Sequence, residues 1–479
     1  MSRGSALKFL WPFGRKNDED EQDLPLVAGY ASAARETSSA GRMRPEFPGF
    51  RASALDRPVE RKRGERREIT RARFAMMNMF TPTQPVTNRA SFAGRLGMLS
   101  RLISAIETQR SHVVLYGERG IGKTSLLHVL TDVARESSYI VSYATCGASS
   151  DFSEMFRAVL EDVPVLFHRG VAPTTGEAES GSSLADRLPA GRFGSRELAD
   201  LCSEIVGTRV LIILDEYDRV DDPRFRQSVA ELIKNLSDRA ARVQIIIAGV
   251  APNLQELMGY APSIRRNVIG LPMPRLQESE IQEMIAMGEA AAGVRFDAKF
   301  GHLVSLLALG SPYLARLLCH HAGLEALDQG RLTVDIGHLR AALDLVIAET
   351  EGRMAPRTVG EMQKFLDGSY PQLVAAIGEA SRTADGWFAA RNIVGLLPAS
   401  SGGEDKIQAE LQSLKLTLGL ETETENDELR YRFSDDSLPI YLWLLIARDR
   451  LNSGKLDPAA PQPASGKVAA DAGLSEAKS

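Results

Sequence analysis

"VVLYGERGIGKTSLLHVL", residues 113–130, decides how this chain is read. Four β-prone apolar residues lead into a glycine-studded turn that ends in Lys-Thr, and a run with helical spacing follows. Gly117-Glu118-Arg119-Gly120-Ile121-Gly122-Lys123-Thr124 satisfies G-x-x-x-x-G-K-[ST] at every fixed position. Glycines let the backbone turn tightly, so that successive N–H groups point inward. The helix that follows aims its positive dipole end at the same place. Such a loop holds phosphates. Lys123 is placed to reach the β and γ phosphates and Thr124 to hold Mg2+, with Gly117 through Ser125 forming the binding surface.

A second stretch, "VLIILDEYDR" at 210–219, supplies the other half of such a site. An apolar strand ending in Asp215 presents a carboxylate at the carboxyl edge of a parallel sheet, the edge that carries the loop, where it can hold the water shell of Mg2+. Glu216 is placed to polarise a water for attack on the γ-phosphate. In isolation, Asp215, Glu216 and Asp218 would only solvate a strand end; after such a loop, Asp215 reads as the metal residue and Glu216 as the water residue. No N-K-x-D sequence is present and no D-x-x-G begins at Asp215, so adenine is the expected base and ATP the expected nucleotide.

Further strands are expected at 139–146, 209–215 and 243–250, separated by helical patterns. Near-continuous apolar strands alternating with helices predict a mostly parallel sheet covered on both faces. An amphipathic helix precedes the first strand, with Leu96, Leu99, Leu102, Ile103 and Ile106 at spacings of three and four. The Gly, Ser, Thr and Pro-rich interval 169–183 reads as a mobile surface insertion. With 479 residues, two or three domains are expected. The boundaries read as a largely disordered segment 1–84, an ATP-binding core 85–272, a helical lid 273–355, a winged-helix-like domain 356–452, and a disordered tail 453–479.

The chain resembles the AAA+ and STAND ATPases, in particular the branch similar to origin-recognition and archaeal ATPases and to transposition and secretion ATPases with an ExeA-like or TniB-like core. The resemblance spans about residues 85–450 and is carried by the phosphate loop, the Asp215-Glu216 pair and the helical lid. It implies an α/β sheet sandwiched by helices, a lid, a winged helix and ATP hydrolysis with Mg2+. "FAGR" at 92–95 is similar to the family's box packed near the adenine. "GSPYLARLL" at 310–318 looks like the sensor-2 segment, which would put Arg316 over the γ-phosphate, against the reading of an ordinary helix arginine. Arg265 or Arg266 stands where relatives carry an arginine finger, and an ordinary surface pair is the alternative. The strand at 243–250 ends in Ala248-Gly249-Val250, where relatives place a polar sensor-1 residue. Either Asn253 serves from the following turn or that role is missing.

Composition narrows the partners. A net charge of −5 gives no global attraction to nucleic acid or an anionic membrane. The basic stretch 56–73 is a local exception, readable as a nucleic-acid contact or as a solvated helix. In the helix expected at 404–415 acidic residues outnumber the two lysines, and the hairpin 421–432 is also acidic, which favours a protein partner over DNA. Cys146, Cys202 and Cys319 lie far apart, and His320-His321 are adjacent on a helix, so neither a disulfide framework nor a transition-metal site is expected. The scattered cysteines and the lack of a signal-peptide pattern predict a cytoplasmic setting, and "LPIYLWLLIA" at 438–447, too short to span a bilayer, reads as a buried helix. Three functions compete: a nucleotide-dependent switch acting on a protein partner, with homo-oligomerisation open; a DNA-associated ATPase; and a non-hydrolysing nucleotide scaffold.

Overall fold

Every residue of the strand Val210–Asp215 is buried, yet its neighbours in sequence enter different cores. Val210, Ile212 and Leu214 pack into one apolar cluster, and Leu211 and Ile213 into another on the opposite face. Side chains alternate across a strand, so this pattern requires a sheet covered on both sides. The computed structural model describes residues 65–456, except 83, 87–88, 172–180, 260–263, 368–370, 382–385, 399–401, 426, 436 and 455. The expectations for 1–64, for the centre of the 169–183 insertion and for the tail beyond 456 lie outside the described residues.

The central sheet has five parallel strands: β1 (His112–Gly117), β2 (Ile140–Thr145), β3 (Val210–Asp215), β4 (Val243–Val250) and β5 (Val268–Pro272), in the order β2-β3-β4-β1-β5. Register brings the carboxyl ends level. Thr145 pairs with Asp215, Leu214 with Ile247, and Gly117 with Val250. Helices α1 (Glu65–Met79), α2 (Leu96–Glu107), α3 (Lys123–Glu136), α4 (Phe152–Glu161), α5 (Ser195–Ser203), α6 (Pro223–Asp238) and α7 (Leu254–Met258) complete the chain up to β5.

A third apolar cluster lies mostly after β5. It gathers the lid helices α8 (Glu278–Ala292), α9 (Phe300–Ala308), α10 (Pro312–Asp328) and α11 (Ile336–Glu351), with a two-stranded sheet of β6 (Arg295–Phe296) and β7 (Thr333–Val334). The same cluster continues into α12 (Pro356–Asp367), α13 (Pro371–Ala380), β8 (Phe388–Ala389), α14 (Ala390–Val394), α15 (Glu404–Leu414), β9 (Leu420–Glu425), β10 (Glu428–Phe433) and α16 (Ser437–Asn452). Strands β8, β10 and β9 form an antiparallel sheet in that order. Buried Trp443 on α16 donates from Nε1 to Leu307 O at 2.9 Å, and Tyr441 donates to Glu351 at 2.7 Å. The sequence boundary at 355 therefore falls inside one shared core.

One segment departs from the sequence expectation. Residues 65–82, read as part of a disordered stretch, include the packed helix α1. Ala72, Met76 and Phe80 are at most 2% exposed and belong to the lid cluster. Their i, i+4, i+8 spacing makes one buried apolar stripe, and two glycines of the lid accept it. A Cβ on Gly288 would stand 2.1 Å from the Phe80 ring, and one on Gly323 would stand 2.0 Å from Met76 Cε.

Candidate nucleotide site

The turn between β1 and α3 is shaped by its glycines. Gly117 has φ of +152°, and a Cβ there would stand 3.0 Å from the carbonyl of Met273. Gly122 caps α3 at φ of +95°, a conformation that a side chain would strain. Glycine is thus needed where the motif has it. With these turns in place, the first residues of α3 are Lys123 and Thr124.

Lys123 folds into the loop and donates from Nζ to the carbonyls of Gly117 at 2.9 Å and Glu118 at 2.8 Å. Burial lowers its pKa to about 8, with Asp218, Asp215 and Glu118 opposing the shift. Thr124 donates from Oγ1 to Asp215 Oδ2 at 2.8 Å, joining the two sequence-predicted metal residues across the sheet edge. The Tyr143 hydroxyl of β2 also donates to that oxygen, and the Glu216 N–H donates to Asp215 Oδ1 at 2.9 Å. Asp215 is 4% exposed, so these donors replace water.

Glu216 adopts φ of +55°, a left-handed turn just past β3. Its carboxylate accepts from Arg219 Nη1 at 2.6 Å at the surface. Asp218 faces the next strand, accepting from the Val250 N–H at 2.7 Å. A Cβ on Gly249 would stand 2.9 Å from the same carboxylate and 2.5 Å from Leu257 Cδ1, so this strand end admits no larger side chain without rearrangement. Asn253 caps α7: its Oδ1 accepts from the Glu256 N–H, and its Nδ2 donates to Glu256 Oε1, both at 2.9 Å. Both ends of that amide are thereby engaged on its own helix.

The flanks of the loop carry the remaining predicted residues. Ser125 Oγ accepts from the Val86 N–H at 3.0 Å, and Ile121 is buried with its carbonyl receiving Arg95 Nη2 at 3.3 Å. The 92–95 box thus lies directly against the loop. Burial lowers the Arg95 pKa, while Glu280 of α8 acts in the other direction. Arg119 and Gly120 are exposed. On the lid side, a Cβ added at Gly120 would stand 3.5 Å from Tyr313 Cβ, and one at Gly122 would stand 3.7 Å from Pro312 Cγ, both at the start of α10.

Arg316 sits one turn along α10. Its guanidinium donates to the carbonyls of Met79 at 3.0 Å and Ser91 at 2.8 Å, and burial lowers its pKa. Those bonds direct it toward the segment leaving α1, with no bond to the phosphate loop. Arg265 and Arg266 are exposed on the turn before β5. Sequence reasoning missed Arg275, whose guanidinium grips Glu118, and Tyr143 on Asp215. Neither lies in a motif; Arg275 reads as linker and Tyr143 as ordinary strand.

Residues 106–258 match a family model described as an AAA domain. The chain carries an AAA-type P-loop core. No curated protein matches the chain. Among solved structures it is similar to Cdc6p from Pyrobaculum aerophilum, at 14% identity over 80% of this chain and 99% of that one, with a TM-score of 0.39. It is also similar to the Walker-type ATPase PABY2304 of Pyrococcus abyssi, at 16% identity over 76% and 99%, with a TM-score of 0.44. A third is the ORC2 protein of Aeropyrum pernix, at 15% identity over 79% and 98%, with a TM-score of 0.43. No described helix is long and apolar enough to cross a membrane.

Proposed function

We propose that the chain binds ATP with Mg2+ at residues 117–125, hydrolyses it, and acts as a nucleotide-dependent switch between its P-loop core and its lid. The observation that carries this reading is the 2.8 Å contact between Thr124 and Asp215 beside the Lys123 ammonium. Oxygen donors of this kind suit a hard cation that keeps part of its water shell. The three hydrogen bonds on Asp215 favour holding that shell over direct ligation. Magnesium would neutralise charge on the phosphates.

In the chain's own chemistry, Lys123 binds phosphate oxygens and Glu216 accepts the proton of an attacking water. Water adds to the γ-phosphorus, the bond to the β–γ bridging oxygen breaks, and ADP leaves. Glu216 must first leave Arg219, a rearrangement open to a weak, solvent-screened surface ion pair. The engagement of Asn253 in a helix cap favours slow turnover. Slow turnover suits a switch, and the same engaged amide is the specific support for the scaffold reading, in which turnover is absent.

The switch reading draws on the lid's position. Pro312 and Tyr313 abut the loop, Arg275 grips Glu118, and the lid shares a core with the C-terminal helices. A shift at the phosphates would move both as one body. We read the C-terminal module as winged-helix-like and turned to a protein partner. Arg430 pairs with Glu425, Arg432 with Glu421 at 2.7 Å, and Arg391 with Glu428 at 2.7 Å, so the hairpin's cations face carboxylates of the same module. That disfavours a phosphate backbone as ligand.

The test is steady-state ATP hydrolysis by wild type, Lys123→Ala and Glu216→Gln over a range of protein concentrations, with and without duplex DNA. Slow turnover lost in both variants supports the switch. Stimulation by DNA would instead favour a DNA-associated ATPase. ATP binding without turnover would leave the scaffold, and turnover rising with concentration would make Arg265 and Arg266 candidates for action across a subunit boundary.

A further inference from the structure

Asp215 is held by more than the loop. Tyr143 stands on β2, next to β3, and its register partner is Ile213. From there its hydroxyl reaches Asp215 Oδ2, the oxygen that also receives Thr124. The ring is fixed from above by His128, stacked at 5.1 Å between centroids and 5° between planes. His128 lies one helical turn beyond Thr124 on α3, so a single helix supplies both a hydroxyl on the carboxylate and the plate that fixes the other donor.

We propose that Tyr143 is a positioning residue for the metal site: its hydroxyl, held by the His128 stack, orients the Asp215 carboxylate for Mg2+ bound with the nucleotide. This rests on the Mg-ATP reading above. A donor on a carboxylate restricts its rotation and fixes which lone pairs remain for the metal's water shell. Loss of such outer-shell partners at metal sites costs about 10–100-fold in metal affinity. Phenylalanine keeps the ring, the stack and the strand while removing only the donor.

The experiment titrates Mg2+ into full-length protein carrying a fluorescent ATP analogue, starting from EDTA, for wild type, Tyr143→Phe and His128→Leu, with Mn2+ binding followed in parallel by electron paramagnetic resonance. The expected result is unchanged nucleotide affinity in EDTA for Tyr143→Phe, with half-saturating Mg2+ and Mn2+ raised about tenfold. His128→Leu, which keeps the hydroxyl and loosens the ring, should shift both in the same direction by less. Equal half-saturation in wild type and Tyr143→Phe overturns the proposal, even if the melting temperature falls, because a merely structural hydroxyl would change stability and leave the metal titration in place. A wild type whose nucleotide binding ignores both metals removes the Mg-ATP reading and this inference with it. A wild type that responds while the variant does not differ removes this inference alone.

Discussion

Arg275 holds both carboxylate oxygens of Glu118, with Nε 3.0 Å from each and Nη2 3.0 Å from Oε2. The first variable residue of the phosphate loop is thus tied to the linker between core and lid. The same linker donates from Met273 N to Tyr116 O and from Leu276 N to Gly310 O, each at 2.8 Å. Without Arg275, the Glu118 charge would stand less compensated beside incoming phosphates. Both side chains are about one-third exposed, so screening limits the effect to about 1 kcal/mol, or about fivefold in affinity. Arg275→Ala should weaken ATP binding by that amount, most at low salt, and adding Glu118→Ala should restore it. Equal weakening in the single and double variants would show that Arg275 acts through something other than Glu118.

Lys123 makes nucleotide affinity depend on pH. Its pKa of about 8 in the nucleotide-free chain means that above pH 8 the amine is increasingly neutral. Phosphate favours the charged form, so binding must then take up a proton. Affinity should fall as pH rises from about 8 toward 10, by up to tenfold per unit. Calorimetry at pH 8.5 in buffers of different ionisation enthalpy should record uptake of about three-quarters of a proton, absent in Lys123→Ala. Zero uptake in wild type would mean that the lysine stays charged in the free chain.

The turn at 117–122 and the strand ending at Asp215 were legible in sequence because local backbone requirements write themselves as local residue choices. Gly117 and Gly122 occupy conformations that exclude other residues, and six consecutive buried residues spell a strand covered on both faces. What could not be read was the direction of long side chains. The Gly310-Ser311 turn and the helix after it lie where expected, with Ser311 capping α10, but the Arg316 guanidinium swings to the carbonyls of Met79 and Ser91. Asn253 likewise follows β4 as read, and its amide turns to Glu256. The burial of α1 depends on holes at Gly288 and Gly323, more than two hundred residues away, which no local periodicity encodes.

His112 makes the core acid-sensitive. It is 3% exposed at the start of β1, and Nδ1 accepts the Ile245 N–H at 2.9 Å, so the neutral ring is the folded form. Burial lowers its pKa from 6.5 to about 4. Between those values the unfolded chain binds the proton and the folded chain does not, so stability is complete above pH 6.5 and falls as pH drops toward 4. The loss reaches about 3 kcal/mol at its full extent. Urea unfolding at pH 7.5, 6 and 5 should show this slope, and His112→Asn should flatten it from a lower baseline. Identical slopes for the two proteins would assign the acid sensitivity to other groups.

Helix α1 should come away from the lid when its sockets are filled. Gly288→Ala or Gly323→Ala would press a methyl into Phe80 or Met76, at a cost of about 1–3 kcal/mol that undocking the helix relieves. Faster proteolysis within 65–82 is the expected reading, with partial recovery when Gly288→Ala is combined with Phe80→Leu. Arg316 belongs to the same joint, since its removal would leave the carbonyls of Met79 and Ser91 without their donor. Arg316→Ala should therefore expose 65–82 to protease with or without nucleotide. Were Arg316 chiefly a reader of the γ-phosphate, the variant would lose turnover while α1 stayed protected. Proteolysis and ATP hydrolysis measured on the same preparation separate the two, and intact protection in Arg316→Ala would count against the clamp.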